Sequence, residues 1–220
     1  MMLPISQYKT ILFDCDGVVL NSNFLKIEAY RLTALEFGAS EEDAMRLVNH
    51  HIEYTGISRN IKFAYFLETI LKKPADEPAM NHLLRQLNIE VERLLENCDI
   101  AEGLENLREK TKQAHWMIVS GGDQEEIIRL FSRKSLLKYF DVGIFGSPDS
   151  KEEIVARELK KSTGQAPALF IGDSKYDYQV AKKNNLDFIF LSDWTNFFEW
   201  KHFCEENKIE VYQNLNDLNR

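Results

Sequence analysis

The chain has 220 residues, 44 % of them hydrophobic and 28 % charged, with a formal net charge of −8 at pH 7. That length accommodates one substantial core, or a core with a smaller inserted unit, and the composition excludes a disordered chain. The acidic balance argues against a broad nucleic-acid surface but leaves room for a local basic pocket that takes a small anion.

Taken in chain order, the first predicted strand is the apolar run Tyr8–Phe13, which ends at FDCDG, residues 13–17. Residues 20–88 then read as helical: Phe24–Phe37, Ser40–His50, Ser58–Lys72 and Ala79–Gln86 carry one-sided apolar stripes, such as Leu25, Tyr30, Leu32 and Leu35. Pro74 and Pro78 bracket an expected turn, and the acid-rich stretch Glu90–Glu96 is expected to lead the chain back. From there helices and strands alternate. Helices are predicted at Glu102–Lys110, Gln124–Phe131, Lys151–Lys161 and Tyr176–Asn184; strands are predicted at Trp116–Val119, Val142–Phe145, Leu169–Ile171, Phe188–Leu191 and Ile209–Tyr212. This is the pattern of an α/β protein with a doubly wound, mostly parallel Rossmann-like sheet and an inserted all-helical cap. The expected division is residues 1–19 and 89–220 for the α/β core and 20–88 for the cap.

In such sheets ligands sit beyond the carboxyl ends of the strands, and four stretches there share one chemistry. In FDCDG, Asp14 and Asp16 stand where the first strand gives way to a loop, with Gly17 permitting a tight turn; a divalent cation is the simplest compensation for such a pair. In VSGGDQEEI, residues 119–127, Ser120 and two glycines ahead of a helix suit an oxyanion, while Asp123 and Glu126 also fit an ordinary helix cap. GSPDSKEEI, residues 146–154, delivers Lys151 to the first turn of a helix, the end that disfavours a cation, as expected if it holds a phosphate and restrains a carboxylate. In LFIGDSKYDYQVA, residues 169–181, Asp173 ends a buried strand and Asp177 lies one helical turn on, placed to support a metal-bound water or the lysine. The all-oxygen set of Asp14, Asp16 and Asp173 favours Mg²⁺. Asp14 is the expected nucleophile on phosphorus and Asp16 the acid/base, with Ser120, the loop amides of Gly121 and Lys151 receiving the phosphoryl group.

These motifs, DCDGVV, the serine of VSGG, the lysine of SPDSKEE and GDSKYD, resemble in order those of the haloacid dehalogenase-like hydrolase superfamily. The resemblance is to its Mg²⁺-dependent phosphatases with a helical cap, such as phosphoglycolate phosphatases and β-phosphoglucomutases, and it covers essentially the whole chain. It implies that Asp14 and Asp173 ligate the metal directly, that Asp16 contributes its main-chain carbonyl, and that Ser120 and Lys151 bind phosphate. The cap stretch TGISRNIKF, residues 55–63, resembles a segment whose glycine and arginine face the active site on closure, which marks Gly56 and Arg59 as substrate-contact candidates. After the first motif the mutases carry a histidine where this chain offers Lys26, a departure that favours hydrolysis. The implied activity is hydrolysis of a small phosphorylated metabolite, a sugar phosphate or phosphoglycolate-like ester. The alternatives are a phosphomutase or a non-catalytic phosphoryl-binding protein on the same fold.

The remaining features read as structural. His50 and His51 are assigned to surface or lid packing, His115 to the start of a strand, Cys15 to buried packing, and the aromatic run from Trp194 to Phe203 to a helix covering the sheet. Cys15, Cys98 and Cys204 form neither a disulfide framework nor a zinc site. No apolar run reaches transmembrane length, and the first residues lack the segments of a signal peptide. The expectation is therefore a cytoplasmic monomer or homodimer with neither nucleic acid nor membrane as partner.

Overall fold

The computed structural model describes residues 3–54, 57–161 and 165–219. Gly56 lies outside the described residues. A six-stranded, wholly parallel sheet has the order β3-β2-β1-β4-β5-β6. Its strands are β1 (Thr10–Phe13), β2 (His115–Asp123), β3 (Gly143–Ser147), β4 (Ala168–Gly172), β5 (Asp187–Leu191) and β6 (Glu210–Tyr212). Each predicted strand is present, within a few residues at either end. β1 is central, with Phe13 level with Ile118 on one side and Ile171 on the other. The strand order reverses at β1, and a crevice opens there beyond the carboxyl ends.

Alternation along the strands divides the core. Ile11 and Phe13 enter one apolar cluster with Trp116 and Ile118, while Leu12 enters the opposite one with Met117, Val119 and Phe170. Helices α5 (Leu104–Lys110) and α6 (Gln124–Arg133) cover the first face through Leu104, Leu107, Ile127 and Phe131. Helices α7 (Lys151–Glu158), α8 (Lys175–Lys183) and α9 (Trp200–Asn207) cover the second through Ile154, Val155, Val180, Ala181 and Cys204. Cys15 is buried in the first cluster. Of the C-terminal aromatics, Trp200 stacks on Phe190 while Phe198 is exposed. Among the described residues no helix is long and apolar enough to cross a membrane.

The inserted cap consists of α1 (Asn23–Glu36), α2 (Glu41–Glu53), α3 (Arg59–Tyr65) with a π-helical turn at Phe66–Ile70, and α4 (Glu77–Leu95). The last helix differs from its expectation. It begins earlier because Asp76 caps it, accepting from the Ala79 amide at 3.0 Å, and Pro78 falls in the first turn, where no N–H is needed. It continues to Leu95, through the stretch read as a connection, because Leu83, Leu87, Val91 and Leu95 keep a four-residue spacing and are all buried. The acidic residues of that stretch occupy the outer face of a helix.

Candidate active site

The loop after β1 is held in line with the sheet: the Asp14 amide donates to the Ile171 carbonyl at 2.9 Å, as a ladder bond would. The Asp14 carboxylate accepts from the Cys15 amide at 2.7 Å and faces Lys151 Nζ, 2.7 Å from its Oδ1. Gly17 adopts φ +77°, and a Cβ there would lie 2.1 Å from Asp173 Oδ2 and 2.4 Å from Asn23 Nδ2. The glycine thus serves both the turn and the close approach of the first and last motifs.

Lys151 sits at the first position of α7, whose start is secured by a capping box between Ser150 and Glu153. It is 1 % exposed, and its ammonium bridges Asp14 and Asp177, the latter at 2.6 Å. Asp177 also accepts from the Ser174 hydroxyl at 2.6 Å, and Ser174 caps α8. Asp173 directly follows β4, fully buried; its Oδ2 accepts from Asn23 Nδ2 at 2.7 Å, and its Oδ1 has no hydrogen-bond partner among the described residues.

Asp14, Asp173 and Asp177 place one carboxylate oxygen each within 4.8 Å of one another. Burial, then the neighbouring Asp177 charge, pushes the Asp14 carboxyl up to about 7 despite the pull of Lys151. Burial, with Asp14 and Asp177 nearby, pushes Asp173 well above the usual carboxylate range. Three clustered carboxylates against one lysine leave an excess of negative charge, and one buried oxygen of the group has no hydrogen-bond partner among the described residues. A divalent cation with oxygen ligands fits this donor set.

The Asp16 carboxylate lies apart from that trio. It accepts from Ser22 Oγ at 2.6 Å and pairs with Lys26 Nζ at 2.8 Å. Burial opposes its ionisation, but the Lys26 charge and the hydrogen bonds from Lys26 and Ser22 hold it below its ordinary value. A metal role for Asp16 is thereby left to its main-chain carbonyl, since its side chain is already engaged.

The Ser120 stretch is part of β2, which runs past Val119 to Asp123 through an irregular register against β3. Ser120 is fully buried, its Oγ accepting from the Gly122 amide at 3.0 Å, while Gly121 and Gly122 line the cavity. Asp123 caps α6, accepting from the Glu126 amide at 3.0 Å. The Glu126 side chain turns instead to the cap, pairing with Arg59 Nη2 at 3.0 Å. Arg59, 7 % exposed, also donates to Asn88 on α4. It lines the cavity, but its charge is already met across the cap–core boundary.

A cavity of about 50 Å³ collects Asp14, Asp16, Lys151 and Gly121 from the core and Lys26 and Arg59 from the cap. It also collects Tyr30, His51 and Lys62, which the sequence reading did not place there. His51 continues the buried stripe Ala44, Leu47, Val48 of α2, so its periodicity carried a signal; Lys62 follows Arg59 by three residues and shares its helix face. His50 does pack within the cap, stacked on Tyr65 at 3.8 Å between centroids. His115 pairs with Asp141 at the start of β2. Asn23, which fixes Asp173, was also passed over, although it opens the helix that follows the first motif.

A family model for haloacid dehalogenase-like hydrolases matches residues 11–191. This chain belongs to the haloacid dehalogenase-like hydrolase family. It is 27 % identical over 192 residues to the phosphorylated carbohydrates phosphatase of Thermotoga maritima, covering 83 % of this chain and 84 % of that one. Two solved structures share the fold. A predicted phosphoglycolate phosphatase from Haemophilus somnus is 18 % identical with a TM-score of 0.74, covering 96 % of each chain. The β-phosphoglucomutase of Clostridium difficile is 20 % identical with a TM-score of 0.71, covering 96 % of this chain and 93 % of its own. The likeness therefore extends across phosphatases and mutases of this hydrolase family without selecting one branch. The buried aspartate cluster is that of a haloacid dehalogenase-like enzyme and is consistent with phosphatase activity.

Proposed function

We propose that this protein is a Mg²⁺-dependent phosphomonoester hydrolase that acts on a small phosphorylated metabolite through an aspartyl-phosphate intermediate. The observation that carries this reading is the division of labour between the two aspartates of the first motif. Asp14 belongs to the carboxylate cluster and is restrained by Lys151, whereas Asp16 is held separately by Ser22 and Lys26 at the same cavity.

Asp14 Oδ1 is engaged by Lys151 and the Cys15 amide, which leaves Oδ2 to attack phosphorus. The bond from phosphorus to the ester oxygen breaks as the bond to Asp14 forms, and Asp16, once protonated and released from Lys26, gives its proton to the departing oxygen. In the second step the Asp16 carboxylate takes a proton from water, which attacks phosphorus, frees Asp14 and yields inorganic phosphate. With Lys26 and Ser22 beside it the resting Asp16 carboxyl is held below its ordinary value and so ionised, the form that this second step requires. Lys151, Ser120 and the Gly121 amide form the phosphate-binding side of the site. Asp14 and Asp173, with the Asp16 carbonyl, would hold Mg²⁺, which offsets charge on the transferred phosphoryl oxygens when bound; Asp177 supports through Lys151. The activity named for the Thermotoga maritima relative supports a phosphorylated small molecule as substrate.

The test is phosphate release with and without Mg²⁺ across sugar, polyol, short-acid and nucleoside monophosphates, with Asp14→Asn alongside. Release that requires Mg²⁺ and disappears in the variant is expected. A folded, Mg²⁺-binding protein that releases phosphate from none of these esters contradicts the proposal, and transfer between two positions of one substrate would assign a mutase.

A further inference from the structure

Four cations line the cavity, and three of them have a carboxylate partner. Lys26 pairs with Asp16 at 2.8 Å, Arg59 with Glu126 at 3.0 Å, and Lys151 with Asp14 and Asp177 at 2.7 and 2.6 Å. The fourth, Lys62, is 2 % exposed and has none among the described residues. Its Nζ lies 2.8 Å from His51 Nδ1 and 5.6 Å from the centroid of the Tyr30 ring. With the lysine charged, the imidazole accepts, and His51 is itself stacked on Tyr30 at 4.2 Å between centroids. The ammonium is therefore oriented by neutral groups and has no ion pair among the described residues, the Asp16 charge acting on it only from beyond contact. A cation buried in this way costs stability unless an anion completes it.

We propose that Lys62, oriented by His51, receives a substrate carboxylate, so that the preferred substrates are compact phosphorylated carboxylic acids rather than neutral phosphate esters. The assignment rests on the phosphomonoesterase reading for the orientation of the ligand, with its phosphoryl group at Asp14 and its acid at the cap. Arg59 was the cap residue marked by sequence for a distal group, but Glu126 already satisfies it. Burial, followed by the nearby Lys26 charge, brings the Lys62 ammonium down to about 7, as expected for a site built one negative charge short. Size bears on the choice of anion. One cavity of about 50 Å³ is lined by both Asp14 and Lys62, so the phosphoryl group and the second anion must share it, which favours the smaller carboxylate on a short chain.

The experiment is calorimetric titration of the full chain in saturating Mg²⁺ with two phosphonates of equal length, 3-phosphonopropionate and propylphosphonate. A charge-assisted contact at Lys62 predicts that the carboxylate compound binds at least about tenfold more tightly to the wild type. In Lys62→Met the two affinities are expected to converge to within about twofold, with Lys62→Gln giving the same reading should the methionine variant fail to fold. Equal affinities in the wild type, including no binding of either compound, overturn the proposal, as does a preference that survives in the neutral variants. Neither compound has a hydrolysable ester, so this result is independent of turnover. Intact discrimination in a protein that releases phosphate from no ester would end the hydrolase reading and leave the carboxylate site standing.

Discussion

The floor of the cavity and its roof handle charge in opposite ways. On the floor, Lys151 bridges Asp14 and Asp177, Ser174 and Asn23 occupy further carboxylate oxygens, and one oxygen of Asp173 is left over. The surplus there is negative and sits on strand ends and helix starts fixed by the sheet. On the roof the surplus is positive: Lys62 is held by His51 and Tyr30, while Arg59 is tied to Glu126 of α6. The floor is thus suited to a cation and a phosphoryl group, and the roof to whatever else the substrate carries. A fixed floor with a separately built roof lets one chemistry serve different substrates, since the roof can change without disturbing the nucleophile.

That contrast makes floor substitutions general and roof substitutions selective. The largest effect is expected for Asp14→Asn, which should lower phosphate release by about four orders of magnitude or more from every ester alike. A residual activity that still ranks the esters would place part of the chemistry elsewhere. Lys151→Met removes the bridge between two buried carboxylates and is expected to lower the stability of the metal-free protein by about 3 kcal/mol, read from urea unfolding. An unchanged midpoint would mean that the floor does not depend on its lysine. Saturating Mg²⁺ should raise the melting temperature of the wild type by about 5–10 °C, with the shift lost in Asp173→Asn. A full shift in that variant would move the metal away from the carboxylate trio. The smallest effect belongs to the tie between core and roof, which does not itself select the ester: Glu126→Gln on α6, which loosens Arg59, should raise KM about threefold to tenfold while leaving the order of preferred esters intact.

The two regions also differed in how far they could be read from sequence. DCDG and GDSKYD were legible because their geometry is local. An apolar strand ends, a glycine turns the chain, and the carboxylates must emerge at the sheet edge; the close approach of Gly17 to Asp173 adds a second demand on that glycine. Lys151 was legible for a similar reason, as a cation at the wrong end of a helix. The alternation of strands and helices and the helical insertion followed from the periodicity of the apolar residues. The roof was not legible in the same way. Whether Lys62 faces solvent or the cavity depends on how α3 packs against α1 and α4, and no local rule states that. His51 did carry a signal, as the last member of a buried stripe, but a histidine in a stripe is equally at home in packing. The extension of α4 was hidden by its acidic outer face, which resembled a linker while Val91 and Leu95 continued the inner one. The Asp16 carboxylate was grouped with the metal ligands because residues two apart on an extended chain point the same way. The turn at Gly17 and the pull of Ser22 and Lys26 give it a separate place.

The central claim is that Asp14 carries the phosphoryl group during turnover. Rapid acid quench of the protein mixed with a turned-over ester and Mg²⁺, followed by peptide mass spectrometry, tests it most directly. The account predicts one added phosphoryl group on the peptide containing Asp14, localised to that residue and absent from Asp14→Asn. Turnover with no adduct, or with the adduct on another residue, would contradict it.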